Sequence, residues 1–325
     1  MFLLNQRMKP LLTYVFSLGI VIVSLIAWLS SLYGWILPIE LFSHFQVQYL
    51  IISLFLLFGL ILVVGDKKFL FLAIFAVTIT AINVLNWYFP LFSNQVVETP
   101  NVRVLVYNVN QHNENHEKAL AMIRKTQANL AIFLEVNDIW IQKINQLNEE
   151  FSDFLYSSQL NNRGIAIYSQ FPLENTSKNL YGKSDKPILS AEVTINRQRI
   201  HLIATHPAMP LNSFPDRNLE LDQIATYLES LNQPVILGGD LNITMWSPYY
   251  RRLVNQTGLK NSREGFGILP TWPADNIHPI IANFLLIPID HCLITSDIQV
   301  KRTYIGNNAG SDHFPLITDL FVPAT

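Results

Sequence analysis

Long uncharged runs of hydrophobic residues fill most of the first hundred positions. Leu11–Leu37, Val47–Val64 and Phe69–Phe92 contain no charged residue, and a helix needs about 20 apolar residues to cross a bilayer. The first run is too long for a signal peptide, and no cleavage site with small residues is evident after it. Residues 1–98 are therefore predicted to be a membrane anchor of three transmembrane helices, with a second domain at 99–325.

The pattern changes after Ser93–Pro100, a short linker with Asn, Gln, Glu and Pro. Strands, recognised by alternating and β-branched residues, are predicted at Val102–Val109, Asn129–Leu134, Gly164–Tyr168, Ile188–Ile195, Arg199–Thr205, Val235–Leu237, Ile289–Ile294 and Phe314–Phe321. Helices are predicted at Glu114–Thr126, at Asn218–Leu231 and from Ser247, where Ser-Pro is typical of a helix start. This succession favours a mixed α/β arrangement with two packed sheets.

Composition divides the chain in the same way. The 325 residues are 50% hydrophobic and 14% charged, with a mean hydropathy of +0.25, which is more apolar than an average soluble protein. The second domain has slightly more acidic than basic residues. It therefore lacks the basic surplus that favours nucleic-acid binding, although a local basic patch is compatible with this balance. The single cysteine, Cys292, excludes an intrachain disulfide and a cysteine-based metal site.

Positive charges around the spans predict their orientation. Arg7 and Lys9 precede the first span, and the loop 38–46 has no Lys or Arg. Lys67 and Lys68 separate the second span from the third. Because Lys and Arg accumulate on the cytoplasmic side, the amino terminus is predicted to be cytoplasmic and the second domain extracytoplasmic. The spans contain no charged residue that would indicate the path of a transporter.

Six apolar runs of the second domain each end in Asn, Glu, Asp or His. The polar residues at these ends are Asn108, Asn110, Glu135, His206, Asp240, Asn242, Asp290, Asp312 and His313. Any one of these ends is typical of a turn. The six together predict one polar pocket.

Four carboxylates in this set, Glu135, Asp240, Asp290 and Asp312, would repel one another unless a cation or histidines stood between them. Oxygen donors without cysteine indicate Mg²⁺ or Mn²⁺ rather than zinc. Such an ion, a basic carboxylate, histidines and amides meet the needs of phosphoester hydrolysis. A glycine loop of the P-loop kind is missing from the sequence, which argues against nucleotide-driven phosphoryl transfer.

The motifs occur in a specific order along residues 101–325: Asn108, Glu135, His206, Gly-Asp240-Leu-Asn242, Ile-Asp290-His and Gly-Ser-Asp312-His313. This ordered set resembles the DNase-I-like endonuclease/exonuclease/phosphatase superfamily. The resemblance implies a four-layer α/β sandwich, in which two mixed β-sheets are flanked by helices. The three transmembrane helices predicted from the apolar runs precede it, so the chain is predicted to be a membrane-anchored member of bacterial type, located in the plasma (inner) membrane.

The resemblance further implies a metal site and a base. Glu135 would bind the metal, with Asp312 and Asn110 assisting through the ion or its waters. Asp240 would orient and deprotonate the attacking water, supported by Asn108.

The remaining catalytic residues are implied in the same way. Asn242 would contact the scissile phosphate, and His313, held by Asp290, would stabilise the phosphoryl oxygens. His206 would contact the phosphate or assist the leaving group. The chain departs from the family pattern at Leu134, where a glutamine usually precedes the glutamate, and it is too compact for long substrate-binding insertions.

The predicted function is therefore a membrane-anchored, Mg²⁺-dependent phosphoesterase that hydrolyses a phosphodiester of a nucleic acid or of a phospholipid-type head group. Its predicted partners are this substrate and, through three spans, the lipid bilayer; no protein partner is inferred. The alternative is a catalytically silent binding or sensing module on a membrane stem. That alternative predicts the loss of a catalytic position, and none is lost in the sequence.

Five other residues have open or structural interpretations. Arg163 could reach a substrate phosphate or remain a solvated loop charge. Trp246 and Trp272 could line the pocket mouth, with core packing favoured. His291 neighbours Asp290 on a strand and should face the opposite side, which favours a structural role, and Cys292 is predicted to be a buried hydrophobic residue.

Overall fold

The fold is described from a computed structural model. It covers residues 8–89, 99–159, 162–181, 186–274 and 284–324. The predictions that involve Arg7, the end of the third span at 90–92 and the linker at 93–98 lie outside these residues. The chain forms two compact units, the first drawn from Met1–Leu91 with Trp246–Pro248 and the second from Phe92–Met245 with Tyr249–Thr325.

The first unit is helical: α1 (Met8–Tyr33), α2 (Leu37–Ser43), α3 (Gln46–Val63) and α4 (Lys67–Leu85). Three of these helices, α1, α3 and α4, are long and apolar enough to cross a membrane. The predicted first span began and ended too late in the sequence, because α1 begins by Met8 and ends at Tyr33, and α2 begins separately with Pro38 in its first turn. Proline is favoured in a first turn, where its missing N–H is not needed.

The interior of this helical unit contains small side chains beside the larger Ile20 and Leu60. Ala27, Ala73 and Ala76 are buried, while large residues such as Phe55 and Phe71 point outward and are mostly exposed. This is the pattern of helices that pack closely with each other and present apolar side chains to lipid. Trp246 belongs to this unit; it is buried, and its indole Nε1 donates to the Asn83 carbonyl at 3.0 Å.

The second unit contains two six-stranded sheets. The strands are β1 (Val102–Asn108), β2 (Leu130–Leu134), β3 (Asp153–Ser157), β4 (Ile165–Ser169), β5 (Glu174–Tyr181), β6 (Lys186–Ile195), β7 (Gln198–Thr205), β8 (Val235–Asp240), β9 (Lys260–Asn261), β10 (Asp290–Ile294), β11 (Gln299–Ile305) and β12 (Leu316–Phe321). Their orders are β11-β12-β1-β2-β4-β3 and β5-β6-β7-β8-β10-β9. Both sheets are mixed, since β1 with β2 and β7 with β8 are parallel and the other pairs are antiparallel.

Helices complete the outer layers: α5 (His116–Thr126), α6 (Asp138–Ile144), which continues into a short 3-10 turn, α7 (Pro210–Glu229) and α8 (Pro248–Thr257). One apolar core lies between the sheets and includes Val106, Ile132 and Ile236. Another core, which includes Ile123 and Trp140, lies between the first sheet and its helices. The predicted four-layer α/β sandwich with two mixed sheets is confirmed.

The eight predicted strands are present, with ends that differ by a few residues. The sequence pattern missed β3, β5, β9 and β11. Of these, β5 is an edge strand with the mostly polar sequence ENTSKNLY, so it lacks an alternating apolar face. The predicted start of α7 at Asn218 was also wrong, because the helix begins at Pro210 and continues through a kink at Ser213.

Candidate functional site

Strand direction brings the polar residues to one edge of the sandwich. In the first sheet, β1 and β2 run parallel; Asn108 is the last residue of β1 and Glu135 follows β2. In the second sheet, His206 follows β7 and Asp240 ends the parallel strand β8. The carboxyl ends of parallel strands meet at one edge, which is the usual place for ligand sites in α/β proteins.

Two antiparallel strands deliver the remaining residues. β10 starts at Asp290, which is paired with Asp240 at the end of β8. β12 is antiparallel to β1, and the loop before it carries Asp312 and His313. Because an antiparallel strand starts where its neighbour ends, these residues reach the same edge.

The side-chain amide of Asn108 connects the two sheets. It is fully buried, and its Nδ2 donates to Glu135 Oε1 at 3.1 Å and to Asp240 Oδ2 at 3.3 Å. Its Oδ1 accepts from the backbone N of Asn110 at 3.1 Å, and Ser311 Oγ donates to its main-chain carbonyl at 2.7 Å. One planar amide therefore fixes the predicted metal ligand relative to the predicted base.

Asp240 is buried among charged and polar groups. Its Oδ2 lies 3.5 Å from His206 Nε2 and 3.7 Å from His313 Nε2. Burial raises the pKa of Asp240 to about 7, and repulsion from Asp290 adds to the rise. A carboxylate with a pKa near neutrality is well matched to accept a proton at neutral pH.

His313 and Asp290 form a buried ion pair. His313 Nδ1 lies 2.8 Å from Asp290 Oδ2, and both side chains are almost inaccessible to solvent. Burial alone would lower the pKa of His313, but the charge and hydrogen bond of Asp290 outweigh it and raise that pKa to about 10. The ring is therefore an imidazolium at neutral pH.

His206 is in the opposite electrostatic situation. Burial lowers the pKa of His206 well below its ordinary value, and the positive charges of Lys186 and His313 lower it further. His206 is therefore a neutral imidazole at neutral pH, suited to hydrogen bonding rather than to charge stabilisation.

The predicted metal ligands lie nearer the surface. Glu135, Asn110 and Asp312 are half-buried, and Asn110 Nδ2 donates to Asp312 Oδ1 at 2.8 Å. The other Asp312 oxygen accepts from the indole Nε1 of Trp272 at 3.2 Å. Asn110 Oδ1 accepts from the backbone N of His112 at 2.9 Å, so the Asn110 amide holds Asp312 with one end and the loop with the other.

Asn242 stands beside the base in a left-handed backbone conformation, with φ of 53°. Its backbone N donates to Asp240 Oδ1 at 2.9 Å and its side-chain Nδ2 to the Pro207 carbonyl at 3.0 Å. The same carbonyl accepts from Lys186 Nζ at 3.2 Å. The amide that is predicted to contact phosphate therefore lies next to a lysine.

Sequence reasoning missed Lys186 and two buried residues of α7. Arg217 Nη1 donates to the Asn242 carbonyl at 3.3 Å, and Glu220 Oε2 accepts from the backbone N of Ala208 at 2.8 Å. Burial lowers the pKa of Lys186, opposed by the nearby carboxylates of Asp240, Glu135 and Glu220. The signal that could have found Lys186 is a basic residue at the start of a strand whose neighbouring strand is followed by His206.

The residues with open interpretations have definite surroundings. His291 is fully buried, with Nε2 2.8 Å from the Ile243 carbonyl and Nδ1 3.1 Å from Asn261 Nδ2. Cys292 is buried between the sheets. Arg163 is half-buried and close enough to Lys186 for its charge to lower the pKa of that lysine.

The sequence profile described as "Endonuclease/Exonuclease/phosphatase family" matches residues 105–313. The chain belongs to this family. Enzymes of the family are generally hydrolases of phosphoester bonds and generally depend on divalent metal ions. No curated protein sequence matches the chain.

Solved structures of low sequence identity have the same family fold. Danio rerio TDP2, complexed with a single-strand DNA product, is 13% identical with a TM-score of 0.58, over 67% of this chain and 98% of its own. A family member from Beutenbergia cavernae is 16% identical with a TM-score of 0.54, over 69% and 72%. A functionally unknown protein from Enterococcus faecalis is 17% identical with a TM-score of 0.56, over 68% and 100%.

The site has the donors for the metal ion that the family generally uses. Asp240, Asp290 and His313 offer three ligand atoms within 4.8 Å of one another. However, His313 Nδ1 already bonds to Asp290, so this trio is better described as an ion pair beside a carboxylate. Burial raises the pKa of Glu135, and the nearby charge of Asp312 contributes to the rise. Two half-buried carboxylates that repel each other fit a hard cation with oxygen ligands.

Proposed function

We propose that the chain is a membrane-anchored, Mg²⁺-dependent phosphodiesterase. The observation that carries the proposal is the bonding of Asn108 to both Glu135 and Asp240, close to the buried pair of His313 and Asp290. It supports the proposal because a carboxylate with a pKa of about 7, Asp240, lies near the cationic ring of His313. Attack of water on a phosphodiester would use the first group to accept a proton and the second to stabilise negative charge.

Glu135 and Asp312 would hold the ion, with Asn110 keeping Asp312 in place through its 2.8 Å hydrogen bond. A bound Mg²⁺ would neutralise charge on the phosphate and help to orient water. Manganese has similar oxygen preferences and is expected to substitute.

Asp240 would take the proton from the attacking water. As the water oxygen bonds to phosphorus, one water proton moves to a carboxylate oxygen of Asp240, and the ester P–O bond on the other side breaks. Asn108 donates to Asp240 Oδ2 and so keeps the carboxylate in a fixed orientation. The hydrogen bond from the Asn242 backbone fixes the other oxygen.

The two histidines would have different tasks. His313 is charged at neutral pH and would stabilise the developing negative charge on the phosphoryl oxygens. His206 is neutral and would donate a hydrogen bond to the phosphate or to the leaving oxygen. Asn242 would contact the phosphate through its amide. A proton for the leaving oxygen would come from solvent, since the pKa of His313 at about 10 keeps its proton on the ring.

Two phosphodiester classes remain as substrates. The TDP2 structure with a single-strand DNA product supports a nucleic-acid phosphodiester. Three helices that are apolar enough to cross a membrane support a phospholipid-type head group. The second domain has no basic surplus for long nucleic acids, so a lipid head group or a short nucleic acid fits better than a long duplex.

The test is hydrolysis by the full chain in detergent micelles. We expect cleavage of bis(4-nitrophenyl) phosphate with Mg²⁺ or Mn²⁺ and none with EDTA; single-stranded oligonucleotides and phospholipid vesicles then distinguish the two substrate classes. Asp240→Asn and His313→Gln should each lower kcat by about 100-fold or more. Asp222→Asn and His201→Gln replace the same residue types outside the site and should retain activity.

The proposal fails if the metal-loaded chain hydrolyses none of these substrates. It also fails if Asp240→Asn retains full activity. Binding of phosphate without turnover would instead support the silent binding module.

A further inference from the structure

We propose that Lys186 is a further substrate-binding residue, whose ammonium contacts the same phosphate group as Asn242. The inference rests on the proposed function for the identity of the substrate. It concerns a residue that none of the motifs contains. Lys186 is the first residue of β6, at the edge where the neighbouring strand β7 ends and is followed by His206.

The geometry brings two donors to one oxygen atom. Lys186 Nζ lies 3.2 Å from the Pro207 carbonyl oxygen, and Asn242 Nδ2 lies 3.0 Å from the same atom. The two nitrogens therefore lie close together beside the turn that follows β7. A phosphate oxygen that approaches both groups would receive a neutral hydrogen bond from the amide and a stronger, charge-assisted one from the ammonium.

Burial lowers the pKa of Lys186, and the charge of Arg163 lowers it further. The nearby carboxylates of Asp240, Glu135 and Glu220 oppose this change and stabilise the ammonium. Glu220 is itself fixed by the backbone N of Ala208 at 2.8 Å. Once a metal ion compensates those carboxylates, the ammonium would add positive charge on the side of the site where the phosphate binds.

A structural role makes a different prediction. If Lys186 only fixed the Pro207 turn, its replacement would lower the melting temperature and disturb His206, which follows β7. Phosphate affinity would then change only with stability. A phosphate contact predicts lost affinity at unchanged stability, and recovery when another cation occupies the position.

The test measures binding of inorganic phosphate to the Mg²⁺-loaded full chain in detergent by calorimetry. We expect Lys186→Met to raise the dissociation constant for phosphate about tenfold, as for a lost charge-assisted hydrogen bond. Lys186→Arg should remain within about threefold, because guanidinium also pairs with phosphate. Lys178→Met removes an exposed lysine from the neighbouring strand β5 and should bind phosphate as the wild type does.

Kinetics give a second readout on bis(4-nitrophenyl) phosphate. Lys186→Met should raise KM, with a smaller effect on kcat, if the contact forms in the ground state. Melting temperatures of all variants are recorded, and Lys186→Gln replaces Lys186→Met if the latter does not fold. Wild-type phosphate affinity in a folded Lys186→Met or Lys186→Gln variant overturns the inference.

Failure of the proposed function gives a different result. A wild-type chain that binds phosphate with Mg²⁺ but cleaves no ester refutes the hydrolase, while the binding comparison still decides the role of Lys186. A wild-type chain that does not bind phosphate overturns the role of Lys186.

Discussion

Three residues of the site have a left-handed backbone conformation that residues other than glycine seldom adopt. Asn110, Glu135 and Asn242 have φ values of 55°, 59° and 53°. Each follows the end of a strand, where the chain turns away from the sheet. Such conformations cost free energy and persist where the surroundings hold them, often at functional sites. The turn at each strand end thus sets the direction of a side chain that the chemistry would use.

Asn242 allows the cost of this conformation to be separated from the chemistry of its amide. Asn242→Gly keeps the backbone conformation and removes the amide, whereas Asn242→Ala also introduces strain. We expect both variants to lose a similar fraction of kcat, and Asn242→Ala to be less stable than Asn242→Gly by about 1–2 kcal/mol. Chemical denaturation and kinetics check this. Equal stability of the two variants would contradict it.

His291 predicts a pH dependence of stability. Burial, with the nearby positive charge of Arg263, lowers the pKa of His291 to about 3, against about 6.5 in the unfolded chain. As the pH falls, the unfolded state therefore binds the proton first. The stabilisation of the folded state by the neutral His291 ring is complete above pH 6.5 and is lost as the pH falls from 6.5 towards 3.

When the pH is lowered from 7 to 5, the titration of His291 should reduce the free energy of unfolding by about 2 kcal/mol. His291→Gln can still donate to the Ile243 carbonyl but does not titrate. Denaturation of the detergent-solubilised chain at both pH values should give a smaller loss for this variant than for the wild type. An identical loss in both proteins would show that His291 is not buried as a neutral ring.

At the scale of elements, the close approach of the two sheets explains the pair Gly238-Gly239 before Asp240. A Cβ on Gly238 would lie 2.5 Å from Ile132 Cδ1 and 2.9 Å from Val106 Cγ2, both in the facing sheet. A Cβ on Gly239 would collide with the Thr205 carbonyl oxygen. The glycines therefore let β8 pack against its neighbours, so that Asp240 reaches Asn108 at 3.3 Å.

Gly238→Ala tests this packing. We expect the added methyl group to destabilise the fold by about 1–3 kcal/mol, as overpacking does. Ile132→Val removes the Cδ1 atom that the methyl group would meet and costs about 1 kcal/mol alone. The double variant should be more stable than the sum of the two costs predicts. Simple additivity in denaturation experiments would contradict the proposed contact.

The sequence predicted the buried strands better than the edges. β2 is apolar throughout and β1 is apolar except for Arg103 and Asn108, and both were found, whereas the polar edge strand β5 was not. The proximity of Asp240, His313 and Asn108 could be predicted because short motifs at strand ends occur in a specific order. Lys186 could not, since its place beside Asn242 depends on how β6 and β7 pair and on where the Asn242 turn leads.

At the scale of the whole molecule, the chain combines an apolar helical unit with a family domain of balanced charge. α1, α3 and α4 are long and apolar enough to cross a membrane. Lys67 and Lys68 start α4, after Asp66, whose side chain accepts from the backbone N of Lys68 at 3.0 Å. This loop and the amino terminus carry the basic residues of the first unit, so the positive-inside rule predicts that both lie on the cytoplasmic side.

Cysteine labelling can test this orientation with little background. The single native cysteine, Cys292, is fully buried, and burial raises the pKa of its thiol to about 11, so it should not react with maleimides. Gly65→Cys places a thiol in the exposed loop before α4, and Ser296→Cys places one in an exposed turn of the second unit.

In intact cells or spheroplasts, a membrane-impermeant maleimide should label Ser296→Cys and leave Gly65→Cys unlabelled. Both variants should react after the membrane is opened with detergent, and the wild type should stay unlabelled throughout. This outcome would place the candidate site outside the cytoplasm, where head groups of the outer leaflet or exported phosphodiesters are its accessible substrates. The reverse pattern would place the site in the cytoplasm and contradict the charge rule for these three helices.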